Sequence, residues 1–286
     1  MLFKAFKSWN AKNSGVRKIR AKTRQGDSSM KKNLFAVLGT LILFTIFYAP
    51  SVFALEFGAR AEYWIPTFNG DLRVDKDGVA GTDINLQNDL GIGNENIPGV
   101  EAFFGIGNHE ISLSYSQVDL SGARNINKNI VFDGKTYNAS AYVESELKTS
   151  MIDLEYQYKL LNFKNILAGL SIGIIGKVKY FDGEVRMNSS ATGNNEENIH
   201  VPVPMIGLGA KIGLLANILE ARAKFAGMGY SGNYFYDGMA DLSVTPFPFL
   251  NIFGGYRVMS LKIDNVSDIY AKMDFYGPYA GLVISF

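Results

Sequence analysis

Two histidines and no cysteine bound what this 286-residue chain can do chemically. Thiolate nucleophiles, thiolate metal sites and disulfides are excluded. His109 follows Asn108 in a tight turn between two alternating stretches, where a solvated imidazole is the simplest expectation. His200 follows a polar segment, 182–199, that contains Ser189, Ser190, Glu196 and Glu197. Those types could supply a hydroxyl nucleophile, a base and an orienting acid, but no motif ties them together by spacing. Asp75-Lys76-Asp77-Gly78 has its glycine too early for a calcium loop and no closing glutamate. Asn138, Asn188 and Asn265 open glycosylation triplets, a pattern too frequent to carry weight. The expectation is therefore no catalytic residue, no cofactor and no metal, and a protein that is not an enzyme.

The remaining ionisable groups follow a different pattern. In stretches that alternate apolar and polar residues, charges recur on one face: Glu56, Arg60, Glu62, Glu101, Glu110, Asp153, Glu155, Lys177, Lys179, Lys211, Glu220, Arg222, Lys224, Asp237, Asp241 and Arg257. Successive strand side chains point to opposite sides, so these groups share a side of whatever sheet the stretches build. The opposite face is apolar and ends in aromatics. In the last stretch, Tyr276, Pro278, Ala280, Leu282, Ile284 and Phe286 form that face. Ten residues at about 3.3 Å rise, tilted by about 40°, climb roughly 25 Å, the height of the apolar band on a transmembrane barrel. Charge facing lipid would cost about 2–4 kcal/mol for a base at the midplane, so the charged face is expected inside. Near-balanced acids and bases in a narrow lumen should pair, because unpaired buried charge is costly. A weakly selective, water-filled pore lined by the same groups is the competing expectation.

Ten such stretches make up residues 55–286, giving an all-β, antiparallel transmembrane barrel of about ten strands, with eight as the alternative. They begin at Leu55–Pro66, and connections then alternate: 67–98, 121–140, 182–199 and 230–233 on one side, short turns on the other. An even count returns both ends to one side of the membrane. The segment 67–98, with six acids against two bases, is read as a polar loop long enough to cover the mouth. Upstream, residues 1–29 are a basic extension that most simply precedes the true start. Met30-Lys31-Lys32, the apolar run 34–48 and Pro50-Ser51-Val52-Phe53-Ala54 read as a signal peptide, with cleavage expected after Ala54. Without 1–54 the chain holds 18 basic and 26 acidic residues, a net charge of −8, which argues against a nucleic-acid partner.

Asp89-Leu90-Gly91, Pro98-Gly99-Val100-Glu101, the run His109–Tyr115, Val143-Glu144-Ser145-Glu146-Leu147 and Gly277-Pro278-Tyr279-Ala280-Gly281-Leu282 accompany the strand pattern. With them, residues 55–286 resemble small, porin-like Gram-negative outer-membrane β-barrel proteins. The resemblance implies the cell outer membrane as location, with its lipids and lipopolysaccharide as partners. It also implies the barrel-assembly machinery, for which Phe286 would serve as the C-terminal signal; a monomer is favoured. These motifs are structural and bring no active site. The function expected is non-catalytic, structural or narrowly porin-like. An enzyme acting on lipid A or peptides at the extracellular rim is the alternative. Ile199 and Val201 flank His200, so the sequence departs from the acid–histidine pattern of ten-stranded omptin proteases.

Overall fold

The computed structural model describes residues 55–163, 169–214, 218–266 and 268–286. The segments expected to be a signal peptide with cleavage after Ala54 and a basic extension lie outside the described residues. Alternation becomes strand almost everywhere: β1 Leu55–Trp64, β2 Thr67–Val74, β3 Ile84–Asn85, β4 Ile97–Ile106, β5 His109–Asn125, β6 Ile130–Phe132 and β7 Lys135–Tyr137. Then come β8 Tyr142–Phe163, β9 Leu170–Ser189, β10 Gly193–Leu214, β11 Leu219–Tyr230, β12 Asn233–Phe247, β13 Leu250–Val266 and β14 Ile269–Ser285. The helix α1, Leu86–Leu90, is a single turn.

Ten of these strands run antiparallel in order β1-β4-β5-β8-β9-β10-β11-β12-β13-β14, and β14 returns to β1 to close a barrel. At the seam Gly58–Trp64 pair with Ser285–Tyr279. The last residue takes part, exchanging backbone hydrogen bonds with Phe57 at 2.8 and 3.1 Å and stacking on Phe57 and Phe249. Period two holds across the seam strand: Tyr276, Pro278, Ala280, Leu282, Ile284 and Phe286 are exposed, whereas Phe275, Gly277, Tyr279 and Val283 are buried. Glycine is required where the seam is tightest. A Cβ on Gly281 would lie 2.0 Å from the Ala61 carbonyl and 2.6 Å from the Phe253 ring. Gly281→Ala is therefore expected to cost about 1–3 kcal/mol through overpacking, read as a lower temperature for loss of the compact band on a denaturing gel.

The exterior is a continuous apolar belt. Phe57, Val100, Leu113, Leu154, Ile174, Leu208, Phe225, Leu242 and Ile252 are all exposed there. Tyrosines 63, 115, 180, 256 and 276 lie toward the belt's upper part on β1, β5, β9, β13 and β14. In water this surface would be an aggregation site; hydrocarbon is the solvent it matches.

Three expectations about the connections need correction. Residues 67–74 are not loop: β14 leaves β1 at Tyr279 and pairs Tyr276–Ile269 with Thr67–Val74, so β2 continues β1 past Pro66. Proline at position 66 cannot donate to the ladder, which is where the wall strand breaks. The segments 121–140 and 182–199 are largely strand as well, since β5 runs to Asn125 and β9 and β10 pair to Ser189 and Gly193. Their polarity marks strand above the membrane, where both faces can be polar.

The interior has two zones. Toward the long-loop end, an apolar core joins wall residues such as Phe68, Leu120, Val143, Met151, Met187, Phe235 and Phe275 to inserted ones, Ile84, Leu86, Leu90, Ile130, Phe132 and Tyr137. Residues 84–92 and the β6–β7 hairpin thus turn their apolar side chains into the mouth. Asn85 caps α1 by accepting from Asn88 N at 2.8 Å, and Gly91, at φ 73°, ends it. That positive φ is the conformation glycine adopts without penalty. The other zone is charged.

Candidate functional site: the charged waist of the barrel

Strand parity aims the site residues inward, and neighbouring strands then bring acid and base together. Asp153 and Glu155 on β8 stand across the ladder from Lys179 and Lys177 on β9. Lys179 Nζ lies 2.6 Å and Lys177 Nζ 2.9 Å from Asp153. From across the lumen Asp237 on β12 approaches the same two ammonium groups at 3.4 and 3.5 Å. Asp237 also accepts two hydrogen bonds from Arg257 on β13, at 3.0 and 2.8 Å. Arg257 in turn donates to Glu62 on β1 at 2.9 Å and stacks over Trp64 with 4.9 Å to the ring centre.

The chain of pairs continues downward. Glu155 lies 3.7 Å from Lys177 and accepts from Lys224 on β11 at 2.6 Å. Lys224 reaches Glu110 at 3.8 Å, and Glu110 pairs with Lys159 at 3.0 Å. Five acids and five bases are thereby linked across the lumen, from Glu62 to Lys159.

A second, smaller group is also balanced. Arg222 donates twice to Asp241, at 3.0 and 2.7 Å, and Tyr279 Oη donates to the same carboxylate at 2.5 Å. Arg60 lies 3.7 Å from Asp241 and 4.0 Å from Glu101, with its guanidinium 4.1 Å above the Phe253 ring. Lys211 and Glu220 make a separate, more exposed pair at 2.9 Å. Near-neutral pairing is what lets so many charges sit out of water, since each ion's desolvation must be offset by partners and hydrogen bonds. A void of about 30 Å³ remains, lined by Arg60, Glu101, Ser114, Ser116 and Lys177 among others. That is room for one or two waters, and Arg60 Nε and Nη1, which make no hydrogen bond within the described protein, border it.

Sequence reasoning passed over several members. Lys159 follows Asp153, Glu155 and Gln157 in strict alternation, and only the bulge beside it between Lys159 and Leu161 obscures the signal. Trp64 and Tyr279 act through the lumen rather than the lipid, which parity also reveals. Nothing local announces which acid meets which base. Glu56, at the foot of β1, makes no ion pair among the described residues.

The rim residues weighed for catalysis are not brought together. Ser189 is buried on the inner face, while Glu196 faces outward and pairs with Arg186 at 3.4 Å. His200 does have an acid partner, Asp182 Oδ1 at 2.8 Å from Nδ1, on the barrel's outer surface. No hydroxyl is hydrogen-bonded to His200 among the described residues. His109 sits at the opposite end, 2.7 Å from Tyr156 Oη. In the mouth, Asp133 lies 2.7 Å from Lys76 and, chiefly through that hydrogen bond, raises the lysine's pKa above its usual value. The Asp75–Gly78 stretch is thus a turn with Gly78 at φ 80°, and no group of ligating side chains suited to a metal occurs among the described residues.

A closed antiparallel barrel, apolar outside and charged within, has the fold of an outer-membrane β-barrel protein. The outer membrane protease OmpT from Escherichia coli shares it, with a TM-score of 0.52 at 12% identity over 81% of this chain and 97% of that one. The translocator domain of the Neisseria meningitidis autotransporter NalP aligns with a TM-score of 0.40 and 11% identity, covering 93% of this chain and 100% of that chain. Ail, the attachment invasion locus protein of Yersinia pestis, gives 0.34 and 10%, over 81% and 99%. No family profile matches the chain, and no curated protein matches it by sequence. At such identities the likeness speaks to fold.

Proposed function

We propose that this protein is a closed, non-catalytic outer-membrane barrel that holds structured segments at the cell surface, with both termini in the periplasm. The observation that carries the reading is the paired waist: ten linked charges reach across the lumen beneath an apolar core, and the void beside Arg60 holds only about 30 Å³. A hydrated ion needs a continuous aqueous path, and paired, hydrogen-bonded charges provide none. Outer-membrane lipid and lipopolysaccharide are the natural partners of the belt. The seam position of Phe286 favours its reading as the assembly signal. Purified protein in planar bilayers is expected to give no discrete conductance steps at physiological salt. Steps of uniform size would replace this reading with that of a narrow porin.

The Asp182–His200 pair favours a second reading, a rim enzyme acting on lipid A or on peptides. It would need an attacking hydroxyl or water on the outer wall. Unaltered lipid A and uncleaved test peptides, in cells overproducing the protein and its His200→Ala variant alike, would remove that alternative.

A further inference from the structure

The wall of the barrel is uneven in height. β9 and β10 stay paired from Ser171 and Lys211 up to Ser189 and Gly193. On its other side β10 pairs with β11 only from Ile206 to Leu214. The β11–β12 hairpin turns at Ser231 and Gly232, so β10 rises above its neighbour, beyond the reach of that ladder. Among the described residues no strand pairs with that side over residues 193–205.

Two prolines show which backbone groups face the opening. Pro202 and Pro204 keep their places opposite Tyr180 and Val178 in the β9 ladder. A proline can do so only if its nitrogen faces away from that ladder. The even-numbered residues of β10 therefore direct their N–H and C=O groups to the open side. The contact of Lys135 Nζ with the Asn194 carbonyl, at 3.0 Å, agrees with this assignment. Above the prolines, Glu196, Asn198 and His200 present both a donor and an acceptor. Proline at the foot of the edge stops β11 from pairing there; none stands above to block another strand.

The side chains beside this edge select the occupant. On the outer surface four acids, Glu146, Asp182, Glu184 and Glu196, stand against two permanent cations among the described residues, Arg186, which pairs with Glu146, Glu184 and Glu196, and Lys148, with His200 beside Asp182. Two copies of the edge would bring like charges together, which disfavours self-pairing. We infer that the free edge of β10 at residues 196–200, beyond the Lys135 contact at Asn194, is a docking site for an extended peptide segment bearing Lys or Arg at every second position, added as a further strand. This deepens the reading of a closed barrel that works through its surface and names the kind of partner it takes.

The test uses the complete mature barrel in detergent micelles and a fluorescent, end-blocked (Lys-Thr)₅ peptide, followed by anisotropy. Saturable binding is expected, weakened at least tenfold when alternate peptide nitrogens are methylated. (Glu-Thr)₅ should not bind. Asn198→Pro removes one open-side donor without breaking the β9 ladder and should weaken binding several-fold. Glu196→Lys should weaken it at least tenfold. Retention of heat-modifiable migration identifies the variants that remain folded. Absence of binding to the unmodified barrel, or binding indifferent to both peptide methylation and Asn198→Pro, overturns the proposal. Conductance is read separately, so a barrel that conducts and still binds would overturn the closed-lumen reading while leaving this site in place.

Discussion

Asp237→Ala is expected to destabilise the barrel by about 3–5 kcal/mol, because it leaves buried cations without their shared partner. Asp237 is 4% exposed and is approached by Arg257, Lys177 and Lys179 at 2.8, 3.4 and 3.5 Å. Asp153 still faces the two lysines and Glu62 still faces Arg257, but acids no longer balance bases. The measurement is the temperature at which the compact gel band disappears, compared between variant and parent. A paired replacement, Asp237→Leu with Arg257→Met, keeps the waist neutral and should cost far less than the single change. Equal losses in both variants would mean that shape, rather than charge balance, holds the waist.

Leu282→Arg is expected to cost about 2–4 kcal/mol, the penalty for a base near the bilayer midplane. Leu282 is 48% exposed and lies midway along the outward face of β14, opposite Ala61 and Ile252. On a water-soluble protein the same change at so exposed a position would stay within about 0.5 kcal/mol. Insertion efficiency into lipid vesicles, followed by the heat-modifiable band, separates the two cases. Asp274→Arg, one step above Tyr276 on the same face of the same strand, should leave insertion nearly unchanged. A uniform penalty along the strand would contradict the placement of the belt.

Much of this architecture was legible in the chain. Parity along β14 told which residues meet lipid, because a strand offers only two faces and charge is tolerated on one. The same parity placed Asp153, Glu155, Lys177 and Lys179 on a common inner side. It failed above the membrane, where polar residues on both faces made 67–74, 121–125 and 182–189 look like loop. It also hid the apolar core in the mouth. Phe68, Ile84, Leu86, Ile130 and Phe132 sit in short polar stretches whose partners are remote in sequence.

Alternation with period two, the aromatic ends and the absence of cysteine determined by themselves a lipid-facing barrel without thiol chemistry, since each is a local property of the chain. Only the tertiary structure decided that Arg257 meets Glu62 from 195 residues away. It alone decided that β10 outgrows β11, and which acids and bases meet across the waist. Those facts depend on closure, shear and relative strand height, which join distant residues and leave no trace in any local spacing.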